Sequence, residues 1–149
     1  MIDIPNYGKI ISKTVVFDLN GTLAVDGLVN NEIKDLLKEL GKTYKLVVLT
    51  ADTYGTLEKE FKDLPIAVDK IKNELEKVNA AEKYSPYIGI GNGNNDCLML
   101  EKSELGILII GEEGASTNAL LKSDIVINNI KDAINLLLNE KRIIATLRK

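Results

Sequence analysis

Three short apolar runs of the sequence each end in polar residues that are suited to chemistry. The first run is followed by Asp18-Leu19-Asn20-Gly21-Thr22, the second by Thr50-Ala51-Asp52, and a later one by Gly91-Asn92-Gly93-Asn94-Asn95-Asp96. The chain contains no histidine, so the commonest general base and metal ligand is absent. Any chemistry therefore depends on carboxylates, lysine, threonine and serine.

Short β-rich runs alternate with helical patterns along the chain, which predicts βαβ units and a parallel sheet with helices on both faces. The predicted strands are Thr14–Leu19, Tyr44–Thr50, Ile66–Val68, Tyr87–Ile90, Leu105–Ile110 and Asp124–Ile127. The predicted helices are Asn31–Leu40, Tyr54–Lys62, Lys70–Tyr84, Asn95–Lys102, Ala115–Lys122 and Asn129–Asn139. We expect one domain over residues 1–149, because no linker, repeat or low-complexity segment interrupts this alternation.

Three smaller features complete the predicted layout. Ile2–Ile4 and Lys9–Ile11 predict a small N-terminal β-hairpin. The segment Ala24–Val29, which contains an Asp-Gly pair, predicts a second, tight hairpin directly after the first polar stretch. Ile143, Ile144 and Leu147 form an apolar patch near the C-terminus that is either a last core element or a dimer contact.

The predicted sheet explains why the polar stretches follow strands. In open parallel sheets, ligands bind beyond the carboxyl ends of the strands, where the strand order reverses. Three strands deliver polar side chains and glycines to that edge, so we expect these residues to form the rim of an active site.

The composition indicates the class of protein and its partners. The chain has 149 residues, of which 45% are hydrophobic and 28% charged, with a net charge of −3. Because basic charge is not in excess, we expect no nucleic acid and no anionic membrane as partner. No apolar run is long enough for a membrane span, and the first residues do not form a signal peptide. Cys97 is the single cysteine, which excludes a disulfide framework, and we expect a cytoplasmic protein.

The polar stretches resemble, in order and type, the motifs of the haloacid dehalogenase-like (HAD) superfamily of phosphatases and phosphotransferases. The first HAD motif, Asp-x-Asp-x-Thr, is matched by Asp18-Leu19-Asn20-Gly21-Thr22. Thr50 matches the second motif, a Ser or Thr that closes the next core strand. The fourth, Gly-Asp-Gly-x-Asn-Asp, is matched by Gly91–Asp96, with Asn92 in place of the first Asp. The resemblance covers nearly the whole chain and is greatest to the small soluble relatives of P-type ATPase catalytic domains.

This resemblance implies a three-layer Rossmann-like fold and phosphoryl transfer through a covalent intermediate. Asp18 would be the nucleophile and form an aspartyl-phosphate, and the implied catalytic residues are Asp18, Asn20, Thr50 and Lys77. The residues implied to bind the phosphoryl group are Leu19, Asn20, Thr50, Ala51 and Lys77. The implied ligands of Mg²⁺ are Asp18, Asn20, Asn92 and Asp96, and Asp96 would in addition orient Lys77 or a metal-bound water.

The third HAD motif is a lysine, and several lysines precede the last motif. The candidates are Lys70, Lys72, Lys77 and Lys83. We favour Lys77 because it opens the last part of the helix before strand Tyr87–Ile90, at a distance from Gly91 close to that of the family. The others are interpreted as solvated helix charges.

Two amides stand where the family has carboxylates. In most HAD phosphatases, the residue two positions after the nucleophile is an Asp that acts as general acid and base; Asn20 transfers no proton near neutral pH. The amide of Asn92 likewise leaves Mg²⁺ with less negative charge. The sequence therefore supports three hypotheses: a slow Mg²⁺-dependent phosphohydrolase or phosphotransferase, a non-catalytic phosphate-binding module, and a receiver-like switch phosphorylated on Asp18 that acts through a protein partner.

The chain has no room for the cap domain that many relatives insert near the site. An open site suits a macromolecular or protein-bound phosphate, or a homo-oligomer in which a second subunit covers the site. The expected substrate is a phosphorylated small molecule or a phosphoprotein. Glu112-Glu113-Gly114 is interpreted as a solvated loop before a helix.

Overall fold

The computed structural model describes residues 1–51 and 57–149 as an α/β fold. Its strands are β1 (Ile2–Ile4), β2 (Gly8–Ile10), β3 (Thr14–Asp18), β4 (Lys45–Thr50), β5 (Ile66–Lys70), β6 (Ile88–Gly91), β7 (Leu105–Ile109) and β8 (Ile125–Ile127). Its helices are α1 (Asn31–Leu40), α2 (Leu57–Glu60), α3 (Glu74–Glu82), α4 (Cys97–Lys102), α5 (Thr117–Leu121), α6 (Ile130–Leu138) and α7 (Glu140–Leu147), with a 3₁₀ turn at Asn94–Asp96.

Six of these strands form one parallel sheet in the order β5-β4-β3-β6-β7-β8. From β3, the chain first builds the sheet outward through β4 and β5, then returns to pair β6 with the other side of β3. The strand order therefore reverses around β3, which places the expected ligand crevice at its carboxyl end. β1 and β2 form the separate antiparallel hairpin, as predicted.

Hydrophobic cores lie on both faces of the sheet, because alternate residues of a strand point to opposite sides. Val15 and Phe17 are fully buried in the larger core, together with residues of α1, α6 and α7. Val16, between them, packs into a second core with Ala81 of α3 and Met99 of α4. The central strand is therefore apolar throughout, as parallel strands covered on both faces are.

The predicted start of α3 is wrong. Residues 66–70 form β5, which pairs with Leu46–Thr50 in register, so Lys70 belongs to a strand. The helix begins at Glu74, because Asn73 caps it by accepting a hydrogen bond from the Glu76 backbone N–H at 2.9 Å. The predicted helix Tyr54–Lys62 begins outside the described residues, and within its described part Leu57–Glu60 form α2 while Phe61 and Lys62 lie in a turn.

The C-terminal apolar patch belongs to the core. Ile143 of α7 is fully buried, and Ile144 and Leu147 pack against the larger core. The sequence predicted no separate helix here, although it offered a core element as one of two alternatives.

The chain between β3 and α1 contains the predicted tight turn. Val25 and Leu28 pair across Asp26-Gly27, whose φ angles of 52° and 79° are those of a left-handed turn. The described segments that follow β3 and β5 hold only this turn and a short loop, so no cap domain is inserted at either place.

No helix in the described part of the chain has the length and apolar character needed to cross a lipid bilayer.

Candidate active site

The carboxyl ends of β3 and β4 and the start of α3 surround a cavity of ≈ 180 Å³. Its lining residues are Asp18, Asn20, Thr50, Ala51, Ile71, Lys72, Asn73, Glu74, Lys77 and Asn95. All four residues with an implied catalytic role therefore lie around one space. The strand ends explain this convergence, since β3 delivers Asp18 and β4 delivers Thr50 to the same edge of the sheet.

Lys77 connects two buried carboxylates beside this cavity. Its Nζ donates to Asp18 Oδ1 at 2.7 Å and to Asp96 Oδ1 at 2.5 Å. The side chain of Lys77 is only 2% exposed, whereas Lys70, Lys72 and Lys83, which were the other candidates, are exposed. The buried contact with Asp18 therefore favours Lys77 among the four lysines.

The charges of this cluster shift the pKa values of its members. Burial raises the pKa of Asp18 to about 6, with the Asp96 carboxylate adding to the rise and Lys77 opposing it. Burial alone would lower the pKa of Lys77, but Asp18 and Asp96 together outweigh it and raise that pKa. Lys77 is therefore a protonated ammonium near neutral pH, and Asp18 is largely ionised.

Asp96 is held by the glycine-rich loop after β6. It is fully buried, and its Oδ2 accepts hydrogen bonds from the N–H groups of Asn92 at 2.9 Å and Gly93 at 3.0 Å. A Cβ at position 91 would lie 2.7 Å from Asp96 Cγ, so this close approach requires Gly91. Since both carboxylate oxygens of Asp96 are engaged, the geometry favours its implied role in orienting Lys77. Its role as a direct metal ligand stays a prediction.

The oxygens near Asp18 suit a hard divalent cation. Thr22 Oγ1 donates to Asp18 Oδ2 at 3.3 Å and lies 3.5 Å from Asn92 Oδ1. Asn20 Oδ1 is buried and has no hydrogen-bond partner in the described structure, which is costly unless a ligand satisfies it. Carboxylate and amide oxygens are the ligands that Mg²⁺ prefers in proteins, so these residues fit the ion that the resemblance implies.

Negative charge is scarce at this position. In the described residues, no group of three or more His, Cys, Asp or Glu side chains is arranged to hold a metal. A cation bound here would thus depend on the amide oxygens of Asn20 and Asn92 as well as on Asp18.

One residue near the site was missed at the sequence level. A Cβ at Gly21 would lie 2.6 Å from Asn92 Nδ2 and 2.8 Å from Glu113 Oε2. The side chain of Glu113, interpreted from the sequence as part of a solvated loop, is indeed exposed, but its carboxylate reaches the neighbourhood of Asn92. The available signal was the position of Glu112-Glu113 just beyond strand β7, whose carboxyl end lies at the same edge of the sheet.

No model of a known protein family matches the chain. The chain is 53% identical over 83 residues to an uncharacterized protein of Methanocaldococcus jannaschii, and the alignment covers 56% of this chain and 86% of that protein. The chain belongs to the same family as this archaeal protein.

Solved structures of similar architecture are more distant in sequence. The cobalt-bound deoxy-D-mannose-octulosonate 8-phosphate phosphatase of Haemophilus influenzae is 14% identical, with a TM-score of 0.71 over 88% of this chain and 89% of that one. The 3-deoxy-D-manno-octulosonate 8-phosphate phosphatase of Moraxella catarrhalis, in complex with magnesium, phosphate and its sugar acid, is 17% identical, with a TM-score of 0.69 over 92% and 94%. The protein has the HAD-like fold.

A similar fold also occurs in part of a zinc-transporting ATPase. A zinc-transporting PIB-type ATPase matches with a TM-score of 0.65 and 20% identity, over 78% of this chain but only 20% of that one. The fold predicted from the sequence is therefore confirmed, and the sheet edge that carries Asp18 is the edge at which ligands bind in such sheets.

Proposed function

We propose that the chain is an Mg²⁺-dependent HAD-type phosphohydrolase or phosphotransferase that acts through an aspartyl-phosphate on Asp18. The contact that carries this proposal is the 2.7 Å ion pair between Lys77 Nζ and Asp18 Oδ1 beside the cavity. A buried ammonium at this position lowers the electrostatic cost of bringing an anionic phosphoryl group to an anionic nucleophile. The magnesium and phosphate ions bound to the structurally similar Moraxella enzyme support the same assignment.

The proposed reaction has two displacements at phosphorus. In the first, an oxygen of Asp18 forms a bond to phosphorus while the bond to the ester oxygen breaks, and the leaving group departs with that electron pair. In the second, water attacks phosphorus, the bond to Asp18 breaks, and inorganic phosphate leaves. Thr50 holds phosphoryl oxygens in both steps, and Lys77 offsets their charge. Mg²⁺ held by the oxygens of Asp18, Asn20 and Asn92 would supply further positive charge toward those phosphoryl oxygens.

Asn20 makes the second displacement slow in this scheme. A carboxyl group there would protonate the leaving group and later remove a proton from the attacking water, and an amide does neither. Both protons must then be exchanged with solvent. We expect the aspartyl-phosphate to persist longer than in enzymes with two Asp residues.

The same amide is the observation that favours a second candidate function. A phosphate-binding protein, or a phospho-Asp switch that acts through a protein partner, needs Asp18 and Lys77 but no rapid hydrolysis. The unsatisfied Asn20 Oδ1 would serve either function by accepting a hydrogen bond from a ligand or binding a cation.

The substrate, partner and location follow as further parts of the proposal. The described segments after β3 and β5 insert no cap over the cavity, which suits a phosphorylated small molecule or a phosphoprotein, or closure by a second copy of the chain. A net charge of −3 gives no electrostatic attraction to nucleic acid. We place the protein in the cytoplasm.

The first experiment is a p-nitrophenyl phosphate assay with Mg²⁺, followed from the first turnover, with Asp18→Asn as the control. Steady nitrophenol release that the control lacks supports a working phosphatase. A stoichiometric burst that then stalls supports an accumulating aspartyl-phosphate and the switch hypothesis. No release, together with binding of phosphate to the wild-type chain, favours the non-catalytic module.

A further inference from the structure

We infer that Glu113 supplies negative charge to the divalent-cation site, in place of the carboxylate that position 92 lacks. This inference rests on the proposed function, because it concerns the same cation. It assigns to the loop between β7 and α5 a role in metal binding that the sequence motifs do not contain.

The loop that carries Glu113 is fixed against the site by backbone contacts. Asn92 Nδ2 donates to the Gly114 carbonyl at 3.1 Å, and the Ser116 N–H donates to the Asn92 carbonyl at 2.8 Å. A Cβ at Gly111 would lie 3.4 Å from the Gly21 carbonyl oxygen. The two ends of the loop therefore contact both the segment after Asp18 and the loop after β6.

The Glu113 carboxylate lies at the junction of these segments. Its Oε2 and Asn92 Nδ2 lie 2.8 Å and 2.6 Å from the same point, the Cβ position of Gly21. The Oδ1 of this same Asn92 amide lies 3.5 Å from the Thr22 hydroxyl, which donates to Asp18. Across residues 1–51 and 57–149, no hydrogen bond or ion pair engages the Glu113 side chain. Its charge is thus available to a ligand.

A count of charges shows why the site needs another carboxylate. Lys77 pairs with both Asp18 and Asp96 and neutralises one of their two charges. The remaining single negative charge faces a doubly charged ion in a partly buried place, where uncompensated charge is expensive. Glu113 brings the second negative charge.

The exposed position of Glu113 is compatible with this role. Mg²⁺ gives up its water shell reluctantly and is bound in proteins through few carboxylates plus several waters. A carboxylate just beyond Asn92 accepts hydrogen bonds from such waters without direct contact to the ion. Outer partners of this kind are typically worth about 10- to 100-fold in metal affinity.

The test measures Mg²⁺ affinity of the full chain by isothermal titration calorimetry. Glu113→Gln should weaken binding about tenfold, while Glu112→Gln, a matched change in the same exposed loop, should leave it unchanged. Asn92→Asp in the Glu113→Gln background should restore the affinity, because it returns a carboxylate to the site. In EDTA, the thermal midpoints of Glu113→Gln and wild type should agree, which separates metal binding from a structural effect.

Three results would overturn the inference. Equal Mg²⁺ affinities of wild type and Glu113→Gln would remove the role of Glu113 and leave the proposed function standing. An equal loss of Mg²⁺ affinity in Glu113→Gln and Glu112→Gln would mean that the acidic loop attracts the cation only through its overall negative charge. Absence of any Mg²⁺ binding by the wild-type chain would overturn both the inference and the Mg²⁺ dependence of the proposed function.

Discussion

Asn20 is the residue that sets the expected rate of the proposed reaction. Asn20→Asp should raise the turnover of p-nitrophenyl phosphate by about 100- to 10,000-fold, the usual contribution of a positioned acid and base. The measurement is steady-state kcat at saturating Mg²⁺ and substrate. Asn94→Asp makes the same chemical change at an exposed position of the glycine-rich loop and should leave kcat unaltered.

An unchanged kcat in Asn20→Asp would contradict this account of position 20. It would mean that some other group already moves these protons, or that product release limits the rate. Trapping the enzyme during turnover separates the two, because slow hydrolysis leaves phosphate covalently bound to Asp18, whereas a product-release limit leaves it bound non-covalently.

Lys77 should matter to stability as much as to chemistry. Lys77→Met leaves the buried carboxylates of Asp18 and Asp96 without their shared counter-ion, a change that typically costs about 3–5 kcal/mol. Without the ammonium, the pKa of Asp18 rises further above its unfolded value, so the folded variant takes up a proton more readily than the unfolded chain. The loss of stability should therefore be largest at pH 7 and smaller at pH 5.

Urea unfolding at the two pH values measures this effect. Lys72→Met, at the exposed rim of the same cavity, is the matched control and should change the free energy of unfolding by no more than about 0.5 kcal/mol. A Lys77→Met protein as stable as this control would show that Lys77 does not form stabilising buried ion pairs with Asp18 and Asp96.

Part of the site was predictable at the residue level and part was not. Asp18 and Thr50 are the last residues of β3 and β4, so the apolar pattern that locates each strand also locates the residue at its end. Lys77 had to be chosen among four lysines, because the sequence does not show which of them is buried. That depends on how α3 packs against the sheet. Glu113 was missed because its neighbour Asn92 is distant in sequence and because the loop that carries Glu113 is shaped by Gly111 and Gly114 at positive φ.

Among the elements, the buried strands were easier to predict than the edge strand β5, although β8 at the other edge of the sheet was also predicted. β3, β6 and β7 are continuous apolar runs, which only a strand covered on both faces requires. β5 is an edge strand that ends in Asp69 and Lys70; the prediction ended it at Val68 and assigned Lys70 to the following helix. The cap at Asn73 was the sequence signal for the true boundary.

Glu60 joins α2 to the start of α1. Its Oε2 accepts a hydrogen bond from the Val29 N–H at 2.9 Å and lies 3.2 Å from Lys34 Nζ. The hydrogen bond from Val29 is the main cause that lowers the pKa of Glu60, burial opposes it, and Lys34 lowers it further. The carboxylate thus ties α2 to the chain that enters α1.

Glu60→Gln should destabilise the protein by about 1 kcal/mol at pH 7, because a charge-assisted hydrogen bond becomes a neutral one. A pKa depressed in the folded state gives stability that is present above the ordinary value of 4.5 and is lost as the pH falls through the folded-state value. The difference in the free energy of unfolding between wild type and Glu60→Gln should therefore disappear at acidic pH.

Thermal unfolding at pH 7 and at more acidic pH values measures this difference in stability. Glu58→Gln, an exposed position of the same helix, should match wild type throughout. A difference in stability that stays constant as the pH falls would show that the charge of Glu60 does not contribute to stability.

At the scale of the whole molecule, the site is assembled from two halves of the chain. Asp18 ends the central strand, β4 with Thr50 lies on one side of it, and β6 with the loop to Asp96 lies on the other. Lys77 lies between the halves in sequence and joins them in space. The order of strands was not predicted beyond the parallel arrangement, because strand pairing depends on contacts between distant segments.

This order has a consequence for the chain as it leaves the ribosome. β3 and β4 can pair early. The other edge of β3 stays unpaired until Ile88 and Ile90 of β6 have been synthesised and can pair with Val15 and Phe17. Until then, a nascent chain presents an unpaired apolar strand, which is the kind of edge on which other chains nucleate aggregation. Rapid translation of the second half, or a chaperone that covers β3, would shorten the time during which this edge is exposed.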